Sequence, residues 1–214
     1  QIESKANITT NNNTFYNASR YPDGGSSVKD IYAYGKLKLP INKKIKLTIG
    51  FRYNRNYLQA NFEDTLTFNF PFNKIKNNNS SLIKSINLSF KIGNKNNLNL
   101  AYYGGFRNPN IDDIGKVFSK NDSHVVVPNV NLEAEYANNY EFSFLRKNKN
   151  LILNAALFFT EINNAINREF STINGNDSMI YDGEMMRIQM NKNIESATIY
   201  GLNINANYKL NNSL

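Results

Sequence analysis

Apolar and polar side chains alternate along most of the chain with a period of two residues. From Ile45 to Tyr53 the odd-numbered positions are apolar, and from Tyr200 to Leu210 the even-numbered ones are. Because successive side chains of a strand point to opposite faces, each segment is predicted to be a β-strand with one apolar face. The same pattern occurs in five further segments: 31–41, 82–92, 98–106, 140–144 and 151–159. Helical periodicity is nearly absent, so the pattern predicts an all-β fold.

The connections between these predicted strands alternate between short and long. In an antiparallel meander, this alternation places every short turn at one end of the sheet and every long loop at the other. That asymmetry is typical of outer-membrane β-barrels. The short links lie near residue 42, at 93–97 and at 146–150, and the long ones at 58–81, 108–138 and 167–195.

A soluble β-sandwich also alternates apolar and polar positions, so the pattern alone leaves that alternative open. Three features favour the barrel. Several segments reach about ten residues, the length of a tilted membrane strand. Their polar face is rich in Asn, Lys, Ser and Thr, which suits a wet lumen. Aromatic residues near strand ends resemble an interfacial girdle: Tyr53, Tyr57, Tyr102, Tyr103, Phe106, Phe158 and Phe159. We therefore predict an antiparallel transmembrane β-barrel fragment, a curved meander of about seven to eight strands.

Composition narrows the classes of function. The chain has 41 Asn among 214 residues, a net charge of +8 and a mean hydropathy of −0.53. It contains no Cys, which excludes disulfides, thiolate metal sites and thiol nucleophiles. Its Lys residues are dispersed among short turns, so a nucleic-acid partner is not predicted. One His, no Gly-x-Ser-x-Gly elbow and no phosphate loop argue against an enzyme.

Two short sequence boxes lie at the beginning and near the end of the connection 108–138. The first is the Phe-Arg-Asn-Pro-Asn box that ends a predicted strand, and the second is Asn-Val-Asn-Leu-Glu-Ala-Glu at 129–135. Together they resemble the central barrel motif of TonB-dependent outer-membrane receptors, where such boxes flank a long extracellular loop. Val130 stands where the family usually has Pro. The matching residues are Phe106, Arg107, Pro109 and Asn110 in the first box, and Asn129, Asn131, Leu132 and Glu135 in the second.

The resemblance, which covers about residues 29–210, implies the location, partners and function. The family barrel has about 22 strands, so residues 1–214 are expected to be a partial barrel domain without the plug domain and the remaining strands. The protein would contact lipid of the Gram-negative outer membrane and couple to the TonB complex through the missing plug and N-terminal segment. It would import a small-molecule ligand linked to iron, a ferric siderophore or haem, and no cofactor or resident metal is expected. A glycan or cobalamin importer is the alternative within the family, and a passive porin-like channel or adhesin is the alternative outside it.

His124, the only histidine, lies between the two boxes. In haem-uptake members of the family a histidine at this place contacts haem, so the resemblance implies an axial ligand. The alternative is a solvent-exposed loop histidine.

Four further residues are candidates for ligand binding, each with a structural alternative. Asp112 and Asp113 would bind a cation, or stabilise the turn after Asn-Pro. Arg107 would hold an anionic ligand or a carboxylate of the plug, or else make a hydrogen bond from barrel to loop. Tyr181 would contact ligand together with neighbouring Met residues, or pack its loop on itself; that loop carries Asn-Gly and Asp-Gly signals for a hairpin.

Overall fold

The computed structural model describes residues 6–10, 13–17, 19–63, 70–121 and 123–210. Within this part no helix is long and apolar enough to cross a bilayer. The elements in chain order are β1 (Ala6–Thr10), β2 (Asn13–Asn17), β3 (Ser26–Pro40), β4 (Ile45–Asn61), β5 (Lys74–Ile92), β6 (Asn96–Arg107), α1 (Ile111–Ile114), β7 (Phe118–Asn121), β8 (His124–Val127), β9 (Glu135–Lys147), β10 (Leu151–Phe170), β11 (Ser178–Tyr181) and β12 (Glu184–Tyr208).

Seven long strands form one curled antiparallel meander in the order β3-β4-β5-β6-β9-β10-β12. Each overlaps one of the seven segments predicted from alternation, so the predicted fold class is confirmed. The pairing of β10 with β12 keeps one register from Leu151↔Tyr208 to Phe170↔Gln189. β1 and β2 form a separate two-stranded sheet.

The short turns owe their shape to asparagine. The Asn42 side chain accepts hydrogen bonds from the backbone amides of Lys44 (2.8 Å) and Ile45 (2.9 Å). The Asn148 side chain accepts them from Asn150 (3.0 Å) and Leu151 (2.7 Å). Such Asx turns reverse the chain locally, which explains Asn at these links. The short turns lie at one end of the meander and the long connections at the other, as predicted.

The face predicted to be apolar is not covered by protein in the described part. Leu157 pairs with Phe142 on one side and Leu202 on the other, and their exposed fractions are 55%, 44% and 58%. A soluble sandwich would bury such a row against a second sheet. The opposite face of the same strands carries Ser143 and Asn203 at the next positions.

A row of four aromatic residues borders the apolar face on the side of the long connections. Tyr102, Tyr140, Phe159 and Tyr200 are register partners on β6, β9, β10 and β12. The first two ring centroids are 5.4 Å apart, and those of Tyr140 and Phe159 are 6.5 Å apart. This row, called the aromatic row below, fits the predicted girdle.

Tyr103 and Phe158 do not belong to the aromatic row, and their assignment to a girdle was wrong. Each is the neighbour of a row member, so its side chain points to the other face. There Phe158 lies against Gly201, and the Tyr103 hydroxyl accepts a hydrogen bond from Asn87 at 3.4 Å.

Strands extend further into the long connections than alternation predicted. β5 begins at Lys74, inside the predicted loop 58–81, and pairs with β4 up to Asn61↔Lys74. Likewise β10 continues to Phe170 and β12 begins at Glu184. The extension of β5 runs through the Asn-rich stretch 77–79, which lacks alternation because its backbone ladder, rather than an apolar face, holds it.

The connection from β10 to β12 forms a hairpin, as its Asp-Gly signal predicts. β11 pairs with β12 up to Tyr181↔Glu184, leaving a two-residue turn. Asp182 and Gly183 have φ values of 52° and 84°, the positive pair that a type I′ turn requires.

One strand pair departs from the predicted antiparallel pattern. β8 runs parallel to β12, from Arg187↔His124 to Met190↔Val127, and β7 pairs with β8. Parallel neighbours need a long crossover, and residues 128–183, which include β9 and β10, provide it.

The buried apolar core lies at the end of the long connections, in two clusters. The first packs the outer ends of β4 and β5 against α1 and the second box; its buried members are Leu58, Ala60, Phe62, Ile75, Ile114 and Leu132. The second packs β8 against β12; its buried members are Val117, Val125, Val127, Met186 and Ile188. The long connections are therefore folded layers of the molecule.

Candidate functional site

The two boxes meet at Arg107. Arg107 and Glu135 are register partners at the ends of β6 and β9. The Arg107 side chain donates through Nε to a carboxylate oxygen of Glu135 and through Nη1 to Oδ2 of Asp113, the latter at 2.6 Å. The other Glu135 oxygen accepts from the backbone amide of Ile166 at 2.5 Å. Arg107 thus ties α1, the second box and β10 together.

The first box shapes the turn that places Asp113. The Asn110 side chain accepts from the Asp113 amide at 3.0 Å, and the Asp113 carboxylate accepts from the Asn110 amide at 3.0 Å. This reciprocal pair is a capping box. Pro109 before it is fully buried. Asp113 therefore serves both the turn and Arg107.

The second box anchors the connection to the wall. The Asn129 side chain donates to the carbonyl of Asn191 on β12 at 2.7 Å and accepts from the amide of Asn131 at 3.0 Å. Leu132 lies in the first core cluster, 2% exposed, and its carbonyl accepts from Asn77 on β5 at 2.7 Å. Phe106 lies near the Arg52 guanidinium, with 5.7 Å from Cζ to the ring centroid.

Ion pairing shifts the pKa values of these groups. The hydrogen bond to Glu135 is the main cause of a raised pKa for Arg107. Burial acts to raise the pKa of Glu135, but the hydrogen bonds from Arg107 and Ile166 outweigh it and leave that pKa below its usual value. Both Glu135 and Asp113 are 17% exposed in their side chains, so loss of Arg107 would leave two largely buried carboxylates without this partner.

Asp112 faces away from Asp113. Its Oδ1 accepts from the Tyr21 hydroxyl at 2.8 Å and from Nζ of Lys116 at 3.0 Å. These two hydrogen bonds, the Tyr21 bond first, lower the pKa of Asp112. The structure therefore directs the two adjacent carboxylates to different partners. In the described residues no group of three or more His, Asp or Glu side chains is arranged to hold a metal ion.

His124 lies at the start of β8, beside two residues that the sequence did not associate with it. Its ring centroid is 5.3 Å from that of Phe170, and the Arg187 guanidinium carbon is 4.1 Å from the same centroid. Nδ1 of His124 is 2.9 Å from the Ser123 hydroxyl. The parallel pairing of β8 with β12 brings His124 and Arg187 together as register partners. We call His124, Phe170 and Arg187 the Phe170 group.

Tyr181 packs against the second core cluster, as do Met179 and Met190. Burial is the main cause of the raised pKa of Tyr181. Met186 is buried at 4% exposure, whereas Met185 is 68% exposed. The hairpin of β11 and β12 therefore packs against β8 and Val117 through the second core cluster.

A basic group around Phe118 was not predicted. Lys116 Nζ lies 5.0 Å from the ring centroid, and the guanidinium carbons of Arg168 and Arg20 lie 5.1 and 5.3 Å from it. We call these four residues the Phe118 group. They come from three distant segments, and no local signal marks them.

These features are those of an outer-membrane-type β-barrel, of which this chain forms a segment. Its long connections fold into a layer at one end of the sheet. The chain belongs to the TonB-dependent receptor-like β-barrel family, whose model matches residues 3–214. Members of this family lie in the Gram-negative outer membrane and are transporters, not enzymes. The resemblance drawn from the two boxes is thereby confirmed.

Solved structures agree with this fold. The copper transporter OprC has a TM-score of 0.68 at 13% identity, covering 96% of this chain and 30% of its own. The Serratia marcescens hemophore receptor HasR, in complex with its hemophore HasA and heme, has a TM-score of 0.69 at 18% identity, covering 92% of this chain and 34% of its own. The ferric yersiniabactin uptake receptor FyuA from Yersinia pestis has a TM-score of 0.57 at 14% identity, covering 87% of this chain and 25% of its own. The chain thus spans about a third of these receptors or less. No match was found among curated proteins.

Proposed function

We propose that this chain forms barrel wall and outer loops of an outer-membrane active transporter that imports an iron-linked ligand, a ferric siderophore or haem. The observation that carries the proposal is the family match over residues 3–214. Similar structures include a hemophore receptor and a ferric yersiniabactin receptor. The copper transporter among them indicates that ligands vary within this fold, so a glycan or cobalamin remains the alternative. The family match argues against a passive porin or adhesin.

In this proposal residues 1–214 are a partial barrel domain. Its uncovered apolar face, with Leu157 and Leu202 more than half exposed, would contact lipid of the outer membrane. The aromatic row would lie at the outer interface, where Tyr and Phe are favoured. Coupling to TonB would pass through a plug and an N-terminal segment outside this chain.

Haem is favoured by the Phe170 group. Haem iron takes an imidazole as axial ligand, and His124 is half-buried on the Phe170 ring. The flat ring offers apolar contact to a porphyrin, and Arg187, exposed and stacked on the same ring, offers a cation to a propionate.

The other candidate residues from the sequence have structural roles in this proposal. Arg107 and Asp113 hold the outer layer together, because each is engaged by charged partners of this chain. Asp112 is paired with Lys116, and Tyr181 supports the hairpin beside the second core cluster.

Import is tested in cells that carry or lack the gene encoding the complete protein. Under iron restriction, with haem or one ferric siderophore as the sole iron source, we expect growth only with the gene, and only while TonB is present. Equal growth without the gene on every iron source would contradict the iron-linked proposal. Growth that depends on the gene but not on TonB would contradict active transport.

Haem binding is tested by absorbance titration of the complete protein in detergent. We expect His124→Ala to lose the Soret shift of a histidine ligand and to bind haem at least tenfold more weakly. Ser123→Ala is the matched control, because it removes the hydroxyl beside Nδ1 and keeps the imidazole. An unchanged spectrum and affinity in His124→Ala would exclude the axial role.

A further inference from the structure

Three cations converge on one ring in the Phe118 group. Lys116, Arg168 and Arg20 each place a charged nitrogen or guanidinium carbon 5.0 to 5.3 Å from the Phe118 centroid. A ring has two faces, so at least two of the three share a side. The cation–π attraction of each is modest where water has access, whereas like charges held this closely repel one another.

Few carboxylates of the described residues pair with the cations of the Phe118 group. Among the ion pairs of the described residues, only that of Lys116 with Asp112 involves it, at 3.0 Å. Neither guanidinium makes an ion pair there, and Nε of Arg168 is buried without a hydrogen-bond partner. A buried donor left unpaired in this way is destabilising unless a bound group satisfies it.

The positive surface continues along β10 to the Phe170 group. Arg168 and Phe170 are two residues apart on the strand, so both side chains lie on the same face. On that face Arg187 stacks on Phe170 at 4.1 Å. Arg20 and Arg187 are exposed, and Phe118 is half-exposed. Solvent therefore reaches a surface with four cations and two rings.

The distance from the aromatic row decides between two sources of an anion. Arg168 lies nine positions beyond Phe159 on β10. At about 3.3 Å per residue and a strand tilt of about 40°, the Phe118 group is more than ~20 Å above the row. Lipid headgroup phosphates lie near the row itself. The height therefore favours an anion from solution.

We propose that the Phe118 group, extended by Arg187, binds an oxyanionic group of a soluble ligand that carries at least two negative charges. Arg168 and Arg20 would donate paired N–H groups to its oxygens, as guanidinium does to carboxylate and phosphate. This inference deepens the proposed function, on which it rests for its biological meaning, because it assigns a charge class to the imported ligand. The binding itself is testable without knowing that ligand.

The test uses inorganic pyrophosphate as the probe, with the complete protein in detergent and titration calorimetry at low salt. We expect saturable binding that weakens as salt rises, because salt screens exposed charges. Arg168→Gln and Arg20→Gln should each weaken it about tenfold or more, since a hydrogen bond to a charged group is worth roughly that factor. Arg168→Lys should retain part of the affinity because the charge remains.

Arg55→Gln is the matched control. Arg55 also stacks on a ring, that of Tyr57 at 5.2 Å, but it stands outside the group. We expect the Arg55→Gln protein to bind pyrophosphate with unchanged affinity. A second arm replaces pyrophosphate by nanodiscs containing lipopolysaccharide, to present phosphate at a membrane surface.

Three results would overturn the inference: no binding of pyrophosphate, equal binding in the Arg168 and Arg55 variants, or binding only to the lipopolysaccharide discs. Failure here is distinguishable from failure of the proposed function. TonB-dependent growth on an iron source with no anion binding would refute only this inference. Anion binding without gene-dependent growth on any of the iron sources would refute only the iron-linked ligand.

Discussion

Arg107 should control how firmly the outer layer is held to the barrel wall. The perturbation is Arg107→Gln, which leaves a shorter polar side chain and removes the charge that Asp113 and Glu135 share. We expect the strands below the boxes to remain paired and the connection between the boxes to open more often.

The magnitude follows from exposure and from the number of bonds. Arg107 is 45% exposed, so water screens its ion pairs and an exposed pair alone is worth about 0–1 kcal/mol. Its two carboxylate partners are only 17% exposed, and leaving such acceptors unpaired costs about 1–3 kcal/mol. We therefore expect about 1–2 kcal/mol in the free energy of local opening, which is roughly a 5- to 30-fold change in the opening equilibrium.

The assay is hydrogen exchange on the complete protein in detergent, at a pH where all three groups are charged. Peptides that contain the amides of Asp113, Ile114 and Ile166 should exchange faster in Arg107→Gln by that factor. The amide of Ile166 is informative because it donates to Glu135. Arg146→Gln, on the same sheet at the short-turn end, should change none of them.

Glu135→Gln completes a double-mutant cycle. If Arg107 acts through Glu135, the double variant should open less than the sum of the two single effects, because contacting residues are not additive. Exchange in Arg107→Gln equal to that of the unchanged protein would refute the reasoning. So would strict additivity in the cycle.

Three further predictions concern the wall and the outer layer. Leu157→Arg, on the uncovered apolar face, should reduce assembly in the outer membrane, measured by fractionation, since Arg facing lipid costs about 2–4 kcal/mol at the midplane; Asn154→Arg, on the opposite face, should not. Gly104→Val should lower the free energy of unfolding by about 1–3 kcal/mol, measured in a denaturant series, because its Cβ would lie 3.1 Å from a carbonyl oxygen of β5. Gly105→Val should have a smaller effect, because its Cβ would make only ordinary contacts, at 3.7 Å. The pKa of Glu135 is lowered in the folded chain, so the stability that its ion pair contributes is fully present above the ordinary pKa of 4.5 and is lost as the pH falls through the lowered pKa. Hydrogen exchange, corrected for intrinsic rates, should show the outer layer opening more often only in that acidic range. Glu135→Gln should abolish this pH-dependent transition.

The seven-stranded meander could be predicted from sequence because the interactions that determine its strands and short turns are local in the chain. A strand that separates an apolar from a polar environment must alternate, and residues 45–53 and 200–210 do so without interruption. The Asn side chains of the short turns act within two or three residues of themselves, as Asn42 does. Such signals need no knowledge of distant partners.

The outer layer was less predictable because its contacts are distant in sequence. Asn77 reads as a loop residue, yet it lies in β5 and donates to Leu132, 55 positions away. The parallel pairing of β8 with β12 joins two strands that are separated in the chain by β9 and β10. The Phe118 group joins Arg20, Lys116 and Arg168, which lie on three segments far apart in the sequence. The sequence analysis offered a hydrogen bond from barrel to loop for Arg107, but it did not identify Glu135 and Asp113 as the partners.

The boxes and the basic surface are parts of one arrangement. Asn191 on β12 donates to the carbonyl of Asp113 at 2.8 Å and accepts from Asn129 at 2.7 Å, so both boxes are fastened to the strand that carries Arg187. Arg107 fixes the same turn from the other side. A site assembled from distant segments keeps its geometry only if its supports are fixed. The two boxes provide that support, and the residues proposed to meet the ligand lie on the layer that they hold.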